Sequence, residues 1–205
     1  MGEFSHNEAL LSKAREASRT LGVFRARDFA AAGYPREYLR RLLKADQVRR
    51  ISPGLYASAD FDGDQNLALV EASKRMPRGV VCLASALQFH RIGTQSPHQV
   101  WLALPRGTKP PRGSMRHLRL CTFSLASHAY GVEDHPLSGG TVCVFSPAKT
   151  ISDCFKYRSK HGLDVAVEAL REGWRDKRFT LAEITAAAEV CRVRRIIQPY
   201  LKMLT

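Results

Sequence analysis

Arg36, Arg40 and Lys44 recur at intervals of four, with Arg41 beside them. On a helix this spacing lines cations along one stripe. A guanidinium fork can bridge the O6 and N7 edges of guanine in a major groove, whereas an ammonium makes a point contact to phosphate. Arg36, Arg40 and Arg41 are therefore candidates for base edges and Lys44 for phosphate. Tyr38 lies one turn before Leu42 and divides between core packing and contact with DNA. Arg49 and Arg50 are adjacent in an extended segment, where neighbours point to opposite faces. At least one of them should reach a backbone or minor groove. Arg25 and Arg27 open a short alanine-rich helix and are candidates for phosphate contact. The chemistry these residues predict is recognition of double-stranded DNA.

The charge distribution points the same way. The chain has 205 residues and a net charge of +13, which suits a polyanionic partner. Between Ala72 and Val132 there is no Asp or Glu, while Lys74, Arg75, Arg78, Arg91, Arg106, Lys109, Arg112, Arg116 and Arg119 all fall there. Arg106, Lys109, Arg112 and Arg116 lie in or beside a loop with three prolines and are expected to track a nucleic-acid backbone. Either cluster alone would read as a solvated face. Two clusters in one small chain favour nucleic acid.

Catalytic patterns are missing from the sequence. No strand-Gly-x-Ser-x-Gly-helix nucleophile turn occurs, and no glycine-rich phosphate loop. A metal-dependent nuclease would place an acid and a lysine at Asp/Glu-x-Lys spacing, and no such triplet exists. The seven histidines show no ligand spacing; His128 and His135 read as surface residues flanking a polar loop. Neither a metal nor a cofactor is expected, and the chain is not read as an enzyme. The five cysteines are widely spaced without a Cys-x-x-Cys and read as reduced, mostly buried thiols. The first residues lack a basic stretch followed by an apolar one, and no apolar run could span a bilayer. A cytoplasmic location and no membrane partner are expected.

The elements that position these residues follow from pattern. Ser5 and Glu8 fit a capping box for a helix from about Asn7 to Thr20, ended by Gly22. A short helix, Ala26 to Ala32, breaks at Gly33. Pro35 suits the first turn of the next helix, which carries the basic stripe opposite Leu39, Leu42 and Leu43. Val48–Ile51, Ser52-Pro53-Gly54 and Leu55–Ala57 read as a hairpin. Three helices and a hairpin make a winged helix-turn-helix over residues 1–60. Residues 61–205 read as an α+β domain. It has inward-facing helices at Asn66–Arg75 and Leu83–Phe89 and strands at Gln99–Leu104, His117–Phe123 and Thr141–Phe145. Helices from Pro147 onward form a helical C-terminal third. Trp101 sits mid-strand and is expected in the core.

Two stretches carry a resemblance. The first runs from Val23 to Tyr56, through Gly33-Tyr34-Pro35, Leu39-Arg40-Arg41-Leu42 and Ser52-Pro53-Gly54. It resembles the winged helix of AbiEi-type antitoxins. The second, Ser146-Pro147-Ala148-Lys149-Thr150-Ile151-Ser152-Asp153, is similar to that family's Ser-Pro-x-[Arg/Lys]-Thr-x-x-Asp signature, and Leu163–Leu170 fits as well. The resemblance implies an antitoxin of the type IV class that represses its own operon by binding inverted repeats at the promoter. It also implies functional antagonism of a nucleotidyltransferase-like toxin without a stable complex. For the signature helix, Lys149, Lys156 and Arg158 are expected to be exposed, and Thr150 and Asp153 to share a local hydrogen bond. Together these five are the candidate residues for antitoxin function, either by fixing the strand–helix junction or by direct contact. The alternative is a winged-helix transcriptional regulator whose second domain senses a ligand or partner. An enzyme acting on nucleic acid ranks third.

Overall fold

The computed structural model describes residues 2–63, 65–109 and 116–204; for residues 2–7 the description is of the backbone alone. Helix α1 (Gly2–Leu21) starts before Ser5, so Ser5 is interior to it and cannot be its cap. Gly22, at φ +61°, ends the helix and approaches Gly139 so closely that a Cβ would sit 2.6 Å from its Cα. Strand β1 (Phe24–Arg25) leads into α2 (Ala26–Ala31), whose first turn is closed by the Asp28 carboxylate accepting the Arg25 N–H at 2.9 Å. The turn to α3 (Arg36–Lys44) bends at Gly33, φ +91°, and Pro35 stands at the N-cap, just ahead of the first turn.

Helix α3 buries Leu39 and Leu42 against Ala14, Phe24, Phe29 and Val48, with Tyr34 and Tyr38 packed at the margin. Burying Leu42 and Phe29 contributes roughly 2–3 kcal/mol each. Strands β2 (Val48–Ser52) and β3 (Leu55–Ser58) pair antiparallel with a bulge between Arg50 and Ser52. Their turn needs Gly54, at φ +80°, the sign that follows Pro in a type II turn. β1 adds to the far side of β3, giving the sheet order β1-β3-β2. Three helices and this sheet form a winged helix-turn-helix. Helix α4 (Leu67–Arg75) follows.

Contacts divide the chain into two units, Met1–Arg75 with Pro136–Thr141, and Met76–His135 with Val142–Thr205. A mixed sheet lies in the second, apart from residues 136–141 of its last two strands, which fall in the first. Its strands are β4 (Val80–Val81), β5 (Val100–Pro105), β6 (Leu118–Phe123), β7 (Val132–Leu137) and β8 (Gly140–Phe145), in the order β6-β5-β4-β8-β7. β5 runs parallel to β6 and antiparallel to β4, while β4 is parallel to β8. The sequence reading of three strands is thus corrected to five among the described residues. β4 is two residues long, and β7 reads Val-Glu-Asp-His-Pro-Leu, polar and broken by Pro136. An edge strand tolerates both features because one side of it makes no ladder.

Helices α5 (Leu83–His90), α6 (Leu125–Ala129), α7 (Pro147–Lys156), α8 (Arg158–His161), α9 (Leu163–Arg175), α10 (Leu181–Val190) and α11 (Arg194–Leu201) complete the unit. Ser146 caps α7 in the way its Ser-Pro start predicts, with its hydroxyl accepting the Lys149 N–H. Thr180 and Glu183 form a capping box on α10. One core runs from Trp101, Phe123 and Phe145 through Ile151 and Phe155 to Leu170, Ile184 and Ile197. All five cysteines are free, and all but Cys143 are buried. The class is α+β, as the sequence pattern indicates. No helix among the described residues is long and apolar enough to cross a membrane.

Candidate nucleic-acid interface

Helix α3 sorts its side chains as the spacing requires. Arg36, Arg40, Arg41 and Lys44 are exposed, and Tyr38 is half-buried beside the core. Glu37, the one acid on the helix, lies 3.3 Å from Arg41 and 3.9 Å from Arg40. The Arg41 guanidinium also lies 5.8 Å from the Tyr38 ring centre. The Arg40 side chain is 81% exposed and Arg41 44%, so Arg40 gives up less than Arg41 on meeting a phosphate or base. Arg49 and Arg50 are both exposed, in regular register with β3 just before the bulge. Arg49 donates to the Phe61 carbonyl. Arg27 is exposed, whereas Arg25 is half-buried and held at 3.4 Å from Asp28, an N-terminal fastening for α2.

In the second unit, Arg106 and Lys109 are exposed on the turn after β5, and Arg116 is exposed just before β6. Arg112 lies outside the described residues.

The signature helix departs from expectation. Lys149 is fully buried, as are Thr150 and Asp153. Lysine at this position cannot face solvent because α7 is enclosed by α5, α9 and α10, which pack against it on several sides. Its ammonium pairs with the Asp153 carboxylate one turn later. It also lies 4.1 Å from the Phe145 ring centre and 4.9 Å from that of Phe123. Asp153 accepts a second bond from the Cys191 thiol at 3.2 Å. Burial pushes the Asp153 carboxyl above its ordinary range, and the Lys149 charge opposes that shift. Thr150 does not bond Asp153. Its hydroxyl donates to the Phe145 carbonyl at 3.0 Å, which also takes the His90 ring at 2.7 Å. Lys156 is half-buried, and Arg158 is exposed and donates to the Phe155 carbonyl.

Gly131 completes the junction. At φ +67° its carbonyl accepts the Ser146 N–H, and a Cβ there would meet the Lys149 Cβ at 2.9 Å. His90, Gly131 and Cys191 carried no sequence signal, since each joins the junction from a distant part of the chain. Among the described residues no cluster of three or more potential metal ligands occurs.

Two family models match the sequence. Residues 14–59 match a model described as a transcriptional regulator, AbiEi antitoxin, and residues 79–199 match the AbiEi antitoxin C-terminal domain. The chain belongs to the AbiEi antitoxin family. That is a family of antitoxins and transcriptional regulators, not of enzymes. No curated protein matches the chain. Among solved structures, a crystal structure of the RV2827C protein from Mycobacterium tuberculosis is similar at 14% identity, covering 88% of this chain and 80% of that one, with a TM-score of 0.42.

In this AbiEi chain the junction carries a pH signature. His90 is buried and His128 half-buried, with the His128 ring near the Ala103 and Arg78 carbonyls, so neither is the freely solvated loop residue that sequence suggested for His128. His135 lies within β7 and is half-buried, with its ring 4.8 Å from that of Phe89. Burial lowers the pKa of His90 and of His128. A folded-state pKa below the unfolded one gives stability that is fully present above the ordinary histidine value of about 6.5 and lost as pH falls through the folded value. The Tm should therefore fall between about pH 7.5 and about pH 5. In His90→Gln, which keeps a donor for the Phe145 carbonyl, the fall should be shallower. An identical slope in the variant would remove His90 from the account.

Proposed function

We propose that this protein is the antitoxin of a type IV toxin–antitoxin pair and represses its own operon. In this reading α3 enters the major groove of inverted repeats at the promoter, with Arg36, Arg40 and Arg41 at base edges and Lys44 on phosphate. Arg27, Arg49 and Arg50 flank it on the backbone, and Arg25 acts by holding α2. Arg106, Lys109 and Arg112 are the candidates for nucleic-acid contact in the second unit. The observation that carries the reading is the exposed cationic face of α3 in a chain of the AbiEi family. The antitoxin part rests on the family match of residues 79–199. It takes the form of functional antagonism of a nucleotidyltransferase-like toxin without a stable complex. The burial of Lys149, Thr150 and Asp153 supports a scaffolding role for the signature helix. Of its five candidate residues, only Lys156 and Arg158 are left with surface to offer a partner.

Co-expression with the adjacent gene tests the antitoxin half: growth arrest by the neighbour should be relieved by this chain. It should be relieved equally by an Arg36→Ala/Arg40→Ala variant that has lost DNA. Arrest that persists with both proteins well expressed would refute it. A second reading, a ligand-sensing regulator, draws on a cavity of about 340 Å³ lined by Tyr130, Glu133, Ser146, Arg178 and Phe179 among others. Release of promoter DNA on adding cell metabolites would favour it.

A further inference from the structure

A second cationic cluster lies at the β6 edge of the sheet in the second unit, on the face that carries Trp101 and meets α8. β6 is an edge strand, and Arg119 stands on it opposite Trp101 of β5. The Arg119 guanidinium lies 4.1 Å from the Trp101 ring centre. The His161 ring packs 4.2 Å from the same indole. One residue earlier, Lys160 lies 5.6 Å from the ring centre of Tyr157, whose hydroxyl donates to the Thr122 carbonyl of β6. Two cation–aromatic pairs thus sit side by side, one from β6 on β5 and one on α8 and its N-cap. Arg119 and Lys160 are exposed, His161 and Tyr157 half-buried, and Trp101 buried beneath.

No carboxylate neutralises this cluster. Among the described residues neither Arg119 nor Lys160 has an acid within ion-pair distance, and the sequence from Ala72 to Val132 contains none. Burial first, and then the nearby Arg119 and Lys160 charges, hold the His161 ring toward its neutral form. A guanidinium centred 4.1 Å over an indole, with no acid at ion-pair distance among the described residues, can offer N–H donors and its outer face to a ligand. That arrangement suits a flat group attached to an anion, since bases stack on guanidinium planes as they do on aromatic rings. Duplex DNA hides its base faces, so the partner is unpaired.

We propose that Arg119, Lys160, Tyr157 and His161 form a binding platform for single-stranded nucleic acid, separate from the duplex-reading helix α3. A base stacks on the outer face of Arg119, and Lys160 takes the adjoining phosphate. The half-exposed His161 and Tyr157 rings border the site. The proposal does not depend on the duplex reading of α3, and its test keeps the two apart.

The experiment is fluorescence anisotropy of the full chain with labelled twelve-nucleotide oligo(U), twelve-nucleotide oligo(dT) and a hairpin duplex, at about 150 mM salt. Arg119→Thr/Lys160→Ala should weaken binding of one or both single strands on the order of tenfold and leave the duplex within about twofold. Arg119→Lys should lose much of that affinity too, because it keeps the charge and loses the plane. Arg40→Ala should do the reverse, weakening the duplex alone. Trp101 emission, followed in a Trp174→Phe background, should change on adding the single strand. If the wild type binds neither oligomer, or Arg119→Thr/Lys160→Ala binds them as tightly as wild type, the platform is refuted. If Arg119→Lys binds like wild type, stacking is refuted. Loss of duplex binding alone would bear on α3 and not on this site.

Discussion

Asp153→Ala should destabilise the second unit by about 3–5 kcal/mol, enough to unfold much of the protein at 37 °C. Both members of the Lys149–Asp153 pair are completely buried. Removing the carboxylate leaves a buried ammonium facing the Phe145 and Phe123 rings. Lys149→Met should also destabilise, but its cost should shrink as pH is lowered. Burial raises the Asp153 carboxyl, so stability linked to that group is present below its unfolded value and lost as pH rises through its folded one. A protonated Asp153 no longer needs its partner. Lys149→Met/Asp153→Leu, which removes both charges, should recover most of the loss. Urea melts at two pH values read all three variants. If the double variant loses the sum of the two single losses, the pair is not coupled and the account of the signature helix fails.

Arg40→Ala should weaken binding to the DNA upstream of the gene by roughly ten- to a hundredfold, the value of one good bidentate contact. Arg36→Ala/Arg40→Ala should weaken it by about a hundredfold or more. The loss for Arg41→Ala should be smaller, since Arg41 is already half-engaged by Glu37 and Tyr38. Glu37→Gln should tighten binding several-fold, because its carboxylate competes with phosphate for two arginines. Lys44→Ala should lower the slope of log affinity against log salt by about one and act alike on all sequences. Gel-shift or anisotropy titrations across a salt series measure each effect. An Arg40→Ala protein that binds like wild type would displace α3 from the groove.

The two expectations differ in how far they could be read before the structure. The α3 stripe needs only a period. Apolar positions at Leu39 and Leu42 and cations at Arg36, Arg40 and Lys44 separate by the geometry of one helix. Gly22, Gly33 and Gly54 mark their turns by the backbone signs that only glycine adopts freely. Local chemistry therefore fixed the winged helix-turn-helix, its outward face and the α+β class, and the Ser-Pro start of α7 announced its cap.

The signature helix defeated the same reasoning. Its Lys149 read as exposed and its Thr150 and Asp153 as a local hydrogen-bonded pair, because polar side chains on a helix ordinarily meet water. Whether they do depends on how many elements surround the helix, and periodicity carries no record of that. Here α5, α9 and α10 enclose α7, and the polar groups find each other, the Phe145 carbonyl and the Cys191 thiol instead of solvent. The edge strand β7 was hidden for a related reason: its pairing is supplied by β8, not by its own side chains. The pairing of Arg119 with Trp101 likewise exists only because β5 and β6 run in register, with seventeen residues of chain between the two positions. Sequence alone determined the cationic face of α3 and its apolar opposite. Only the tertiary structure decided which charges are buried and which rings lie beneath the exposed ones, because burial and cross-strand contact are set by neighbours distant in the chain.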